Sequence, residues 1–236
     1  MSKYLIINAD DFGASVGLNR GILEGHAHGV VTSTSLMVTG AAVQEAVAMS
    51  RDCPGLSIGL HWDVWGEGEH TFDVTDLPAV RSEFHRQVDG FHRLLGRLPT
   101  HIDSHHHVHR RAGLIPVFQE LVEPLGVPLR GQDGIRFVGG FYAQWQPMVT
   151  NLEYVSVPAL QRMLREEVEP GWTEFSCHPG YASPDFTSVY LHEREAELRT
   201  LTTPAIRETI ETLGIRLMNY ADYLAHRASC RTRAPH

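Results

Sequence analysis

Cysteine is scarce in this chain, basic residues are outnumbered, and no apolar run is long. Cys53, Cys177 and Cys230 are the three cysteines in 236 residues. Their odd number and wide spacing fit neither a disulfide framework nor a zinc ribbon, and suit a reducing compartment. Lys and Arg total 20 against 28 Asp and Glu, a formal charge of −8, which argues against a general nucleic-acid binder, because such proteins carry a basic patch. Apolar runs are strand-sized, far short of the roughly 18 residues of a membrane span. Met1-Ser2-Lys3 leads directly into Tyr4-Leu5-Ile6-Ile7 and then acidic residues, unlike a signal peptide, so a cytoplasmic location is expected. Abundance lies elsewhere, in histidine. There are 15, and His101, His105, His106, His107 and His109 fall within one nine-residue stretch.

Short β-branched runs alternate with amphipathic helical segments. Strands are expected at Tyr4–Asn8, Val30–Val38, Leu56–His61, Thr100–Asp103, Val127–Arg130, Trp172–Cys177 and Ile215–Asn219. Helices are expected between them, with Gly29, Gly126 and Gly214 as stops. The clearest helix places Phe84, Val88, Phe91, Leu94 and Leu95 on one face and Arg81, Glu83, Arg86, Gln87 and Arg93 on the other. Repeated β-then-α order implies a parallel sheet with crossover helices. Six or seven such units point to one α/β domain over residues 1–236, a closed or nearly closed barrel, with an open doubly wound sheet as the alternative. The stretch Gly131–Asn151, holding Phe141, Tyr142 and Trp145, reads as a long functional loop or flap.

Ionisable residues recur at the carboxyl ends of these strands, where parallel α/β proteins bind ligands. Asp10 and Asp11 are adjacent carboxylates that repel unless a cation or a shared proton intervenes. A divalent metal resolves the conflict, one carboxylate binding it and the other acting as base on the attacking water. His61 and His105 supply imidazole nitrogens, leaving open positions for water and substrate. In an extended segment His105 and His107 share a face and His106 turns away; His101 and His109 are then surface or outer-shell groups. Asp103 is placed to orient a ligand imidazole. His178, presented by the Pro179-Gly180 turn, is a candidate general acid. Cys177 beside it faces the core. Trp62 and Trp65 suit stacking on a sugar ring, with core packing an almost equal account. Two further readings are an amidohydrolase-type deaminase, prompted by the clustered histidines, and a non-enzymatic metal- or sugar-binding module.

Five blocks taken together resemble the YdjC-like carbohydrate deacetylase family, which includes chitooligosaccharide deacetylase: Asn8-Ala9-Asp10-Asp11-Phe12-Gly13, residues 29–37, Gly59-Leu60-His61, residues 99–109, and Cys177-His178-Pro179-Gly180-Tyr181. The stretch Arg194-Glu195-Ala196-Glu197-Leu198 is similar to the family's C-terminal helix. The resemblance implies a deacetylase-type (β/α) barrel, a divalent metal, and removal of an acetyl group from an N-acetylated amino sugar. It assigns Asp11, His61 and His105 to the metal, Asp10 to the base, and His178 to the Cys-His-Pro block. Trp62, Trp65, Arg130 and Tyr181 are taken as substrate contacts, with Asp103 and His107 behind the metal ligands. Mg or Zn is the expected ion, with Mn, Co or Ni as alternatives. The expected partner is a small carbohydrate, with a homodimer left open and no nucleic acid or membrane.

Overall fold

Along the first strand, β1 (Lys3–Phe12), every residue from Leu5 onward is buried, as a central parallel strand covered by helices requires. The structure, a computed structural model, describes residues 2–146 and 148–233. After β1 come α1 (Val16–Ala27), β2 (Ser33–Leu36), α2 (Val43–Ser50), β3 (Ser57–Trp62), α3 (Leu77–Leu95), β4 (Ile102–Ser104) and α4 (Leu114–Val122). The second half adds β5 (Ile135–Val138), α5 (Val157–Glu167), β6 (Gly171–Cys177), α6 (His192–Leu201), α7 (Pro204–Thr212), β7 (Ile215–Leu217) and α8 (Tyr220–Arg233).

All strand pairs are parallel. The order is β4-β3-β2-β1-β6-β5, with β7 also on β1. From β1 to β4 the chain steps always in one direction, then re-enters at the far edge with β5 and β6. A doubly wound sheet reverses at a switch point instead, so this curled sheet is of the (β/α) barrel type. One edge of β1 pairs with β6 from Lys3 to Ala9, while the other is shared between β7, against Lys3–Leu5, and β2, from Asn8 onward. No helix among the described residues is long and apolar enough to cross a membrane.

Local chemistry explains the elements. The Asp76 side chain accepts the Ala79 amide at 3.0 Å to cap α3, and Gly96, at φ 67°, ends it. Its buried residues Val80, Phe84, Val88 and Phe91 face the sheet, with Phe84 edge-on to Phe118 at 5.8 Å. Burial of each such side chain contributes about 1.5–3 kcal/mol. Gly29 serves otherwise than as a left-handed stop: a Cβ there would stand 2.5 Å from the Leu201 carbonyl oxygen.

Three expectations are corrected. Val127–Arg130 contributes only an isolated bridge between Ile102 and Leu129. The fifth strand is Ile135–Val138, inside the stretch read as a loop. Asp133 and Gly134, at φ 58° and 78°, turn the chain so that Ile135 aligns with Trp172 of β6. The histidine cluster is likewise not extended: His105–Arg110 is a 3-10 turn with His106 and His107 at φ 50° and 51°. Pro147, within the stretch read as a flap, lies outside the described residues.

Candidate metal centre and active site

Alternation along a regular strand would send Asp10 and Asp11 to opposite faces. A register shift between Ala9 and Phe12 and a left-handed backbone at Asp11, φ 69°, break that alternation. Both carboxylates therefore line one cavity of about 390 Å³ together with His61, Glu67, His105, His106, His107, Tyr142, His178, Tyr190 and Arg194. A non-glycine residue in this region carries strain, which persists where the surroundings over-determine it.

Three donor atoms converge in this cavity. His61 Nε2 lies 3.2 Å and His105 Nδ1 3.1 Å from Asp11 Oδ1, and the two ring nitrogens are 3.3 Å apart. Bonds of about 2.1 Å to one ion require donor separations of about 3.0 Å in octahedral and about 3.4 Å in tetrahedral geometry. The trio fits a divalent metal. His61 Nδ1 meets Asp103 Oδ1 at 2.6 Å, which orients the ring and leaves Nε2 for the trio. A second buried group, Asp10 with His61 and Asp103, already holds a cation: Arg130 Nη2 lies 2.7 Å from both carboxylates.

Neighbouring charges bias the protonation of the trio. Burial disfavours a charged His61, yet Asp103, Asp11 and Asp10 outweigh it and raise the ring well above an ordinary histidine. His105 is likewise buried, and Asp11 and Glu67 push it up to about 9. Asp11 is held well below the usual carboxylate range against the penalty of burial, by Arg194 and His105; Arg194 Nη2 donates to its Oδ2 at 2.7 Å.

Asp10 sits beside the trio in a clamp. Arg130 donates to its two oxygens at 2.7 Å each, and Asn8 Nδ2 adds a bond to Oδ1 at 2.9 Å. Burial works against its charge, but Arg130 prevails and holds it far below an ordinary carboxylate. Glu174 supports the clamp from below, accepting from Arg130 Nε at 2.8 Å and from the Tyr220 hydroxyl at 2.7 Å; burial lifts it to about 7. On the other side His178 Nε2 is 3.9 Å from Asp10 Oδ2. Burial pushes this ring down to about 4 against the pull of Asp10 and Asp11. Its backbone N–H donates to Glu197, which burial raises to about 8.

Several residues occupy other places than expected. Trp62 is fully buried and packs edge-on against Phe118 at 5.2 Å, because alternation along β3 turns it away from His61 toward the helices. Trp65 is also buried, stacked on His70 at 4.0 Å with its Nε1 bonded to the Phe72 carbonyl. Arg130 has no exposed face for substrate, its guanidinium being taken up by Asp10, Asp103 and Glu174. Tyr181 bonds Glu24 on the surface, away from the cavity lining. His106 lines the cavity with His105 and His107 instead of turning away. His101 is buried and stacked on Tyr220 at 3.7 Å, and His109 is buried against Ser104; neither is at the surface. Cys177 is in the core, its thiol donating to the Asn8 carbonyl. Tyr142 and Glu197 stand in stretches the sequence marks without giving either residue a role, and Glu67, Glu174 and Tyr190 are not marked at all. Glu174 carries a signal, a lone charge within an otherwise strand-like run; Glu67 and Tyr190 carry none.

The YdjC-like protein family matches residues 4–212. The chitooligosaccharide deacetylase of Serratia marcescens is 34% identical, over 94% of this chain and 100% of its own length. A carbohydrate deacetylase of Geobacillus stearothermophilus is 33% identical, over 94% of this chain and 99% of the relative. Among solved structures, a candidate cellobiose-phosphate cleavage protein from Enterococcus faecalis V583 superposes with a TM-score of 0.78 at 28% identity, covering 94% of this chain and 99% of that one. A family 4 carbohydrate esterase from Streptomyces lividans shares the fold, with a TM-score of 0.57 at 15% identity and 91% of each chain covered. With a match over most of its length, and relatives aligned essentially end to end, the chain belongs to the YdjC-like protein family.

Proposed function

We propose that this protein is a metal-dependent carbohydrate deacetylase that hydrolyses the acetamide of an N-acetylated amino sugar or oligosaccharide. The observation that carries the reading is the convergence of Asp11, His61 and His105 at 3.1–3.3 Å in a cavity that also presents Asp10 and His178. The names of the relatives support the substrate class, and the two imidazole donors favour Zn, Mn, Co or Ni over Mg. A cytoplasmic enzyme acting on a small carbohydrate is consistent with the reading.

Asp11, His61 and His105 would hold the ion, which would supply Lewis-acid polarisation of the acetyl carbonyl and of the attacking water. Asp10 is ionised throughout the neutral range because Arg130 fixes it so, and it accepts the water's proton. A carboxylate held this low is a weak base, so its contribution is a fixed position and a permanently open acceptor. His178 is neutral at rest, and the proton it delivers must arrive during turnover. Asp10 Oδ2, 3.9 Å from His178 Nε2, is the source. The water oxygen joins the acetyl carbon, the C–N bond breaks, and the proton passes through Asp10 and His178 to the departing amine, giving acetate and a free amino sugar.

The test combines metal analysis of the purified protein with acetate release from a panel of N-acetylated mono- and oligosaccharides. His61→Ala and His105→Ala are expected to lose metal and activity together. Asp10→Asn should retain the metal while its rate falls. Unchanged metal affinity in either histidine variant, or an Asp10→Asn protein free of metal, would overturn the assignment of ligands and base.

A further inference from the structure

Away from the metal trio, a cleft of about 410 Å³ opens at the amino-terminal ends of β3 and β4. Ser57, the first residue of β3, lines it, as do Arg51 at the end of α2 and Arg97 just after α3. His61 stands near the far end of β3, and a rise of about 3.3 Å per residue puts the cleft and the trio about 13 Å apart along the strand. Catalysis in (β/α) barrels belongs to the carboxyl ends of the strands, so a ligand in this cleft takes no part in the hydrolysis.

The charge of the cleft is out of keeping with the chain. No Asp or Glu is among its lining residues, although the formal charge of the chain is −8. A surface groove beside α4, by contrast, is lined by Glu120, Glu123 and Asp133 together with Arg227. Among the described residues neither Arg51 nor Arg97 has a carboxylate partner, and Arg97 Nη1 reaches only the Leu98 carbonyl, at 3.5 Å. Partial shielding from water lowers the Arg97 guanidinium from its ordinary value, with no acid to raise it again. Both arginines follow helix carboxyl ends, where a cation is favourable; that explains one charge at each helix but not the meeting of two in one acid-free cleft. Ser57, only 4% exposed, accepts the Ala221 N–H at 3.0 Å, and its own O–H has no acceptor among the described residues. Asp222, on the neighbouring turn of α8, is taken up by the Asn219 N–H at 2.9 Å. The cleft thus offers two guanidinium forks and a hydroxyl donor beside an apolar wall of Val47, Leu56 and Leu94.

We propose that this cleft binds a phosphate group, carried by a small phosphomonoester whose carbon part lies on the apolar wall. Guanidinium groups grip phosphate through paired N–H donors. A phosphomonoester carries a charge of about −1.5 to −2 near pH 7 and so offsets two arginines, where a monocarboxylate offsets one. The volume lies at the lower end of the roughly 300–1,000 Å³ of small-ligand sites. The inference stands apart from the deacetylase reading.

The experiment is calorimetric titration of the full chain with inorganic phosphate, phenyl phosphate and acetate, using wild-type protein, Arg51→Gln, Arg97→Gln and Arg97→Lys. Both phosphates should bind saturably, phenyl phosphate the more tightly, with acetate at least about tenfold weaker. Each glutamine variant should lose about tenfold in phosphate affinity or more, and Arg97→Lys should regain part of it. Unfolding midpoints measured without phosphate should match the wild type, because neither arginine holds another element in place. Absent phosphate binding, or acetate binding as tight as phosphate, overturns the proposal. So does phosphate affinity undiminished in both glutamine variants, which would place the anion in the metal cavity instead. An ester that binds no more tightly than inorganic phosphate would overturn the ester and leave the free anion as the ligand.

Discussion

Replacing Arg130 with methionine tests the electrostatic frame of the site most directly. Arg130 is fully buried and lies within 2.7–2.8 Å of Asp10, Asp103 and Glu174. The three carboxylates would not suffer equally from its loss. Glu174 already sits at about 7 and takes a proton readily, and Asp103 keeps His61 at 2.6 Å. Asp10 keeps only the Asn8 amide among its close partners. The penalty is therefore that of about one uncompensated buried carboxylate, about 3–5 kcal/mol, and methionine fills most of the vacated volume. For a chain of this size each kcal/mol moves Tm by about 2–4 °C, so a fall of about 6–20 °C is expected. Its pH dependence has a definite sign. In the variant the folded carboxylates bind protons more tightly than the unfolded ones, so the deficit grows as pH rises. Thermal unfolding at pH 5.5 and 8 in the presence of a chelator measures both quantities. A fall of under about 3 °C, or an equal fall at the two pH values, would show that Arg130 does not neutralise Asp10.

Further predictions follow from neighbouring groups. His178→Ala should cut the rate by about 10²–10⁴ with metal content unchanged and regain part of the loss on an activated acetyl ester, whose leaving group needs no proton; equal loss on both substrates would remove the acid role. In chelator, stability should peak near about pH 6.5. Below that, His101, His107 and His178, held down to about 3, 3 and 4, bind protons more readily when unfolded. Above it, Glu174, Glu197 and His105, raised to about 7, 8 and 9, give up stability as they ionise or lose their protons. Urea midpoints between pH 5 and 9 would contradict this if they climbed steadily. Trp62→Phe should lower Tm through lost packing and leave KM for any sugar unaltered, whereas a raised KM would return Trp62 to the substrate.

The convergence of an aspartate with His61 and His105 was readable in the sequence because each stands at or just past the end of a recognisable strand, while the choice of Asp11 over Asp10 came from the family resemblance. The parallel β-then-α order was readable too, although the pattern alone left a doubly wound sheet open and the family resemblance pointed to the barrel. Side-chain direction was the harder quantity. Alternation along β3 was available as a rule and already turns Trp62 away from His61. At Asp10 and Asp11 the same rule misleads, because a backbone irregularity brings the two carboxylates together and nothing in Ala-Asp-Asp-Phe announces it. The Arg130–Glu174 pair joins β6 to the segment bridged to Ile102 of β4 at Leu129, two stretches far apart in the chain, and no local pattern reports that meeting. β5 itself is four residues between glycine-bearing turns, too short for periodicity to register.

The three-way pairing of β1 has a consequence for how the protein is made. This strand is synthesised first, yet its edges are completed by β2, by β6 at residues 171–177, and by β7 at residues 215–217. A nascent chain that has just extended past His105 already holds Asp11, His61 and His105, but one edge of β1 is bare and Arg130, Glu174 and Arg194 have not yet been added. Its acidic pair is then no more than two solvated carboxylates on an unfinished sheet. Domains fold as units during and after synthesis, and here the first strand waits for the last. Assembly of the cavity thus waits until residues 171–177 and 215–217 have been made.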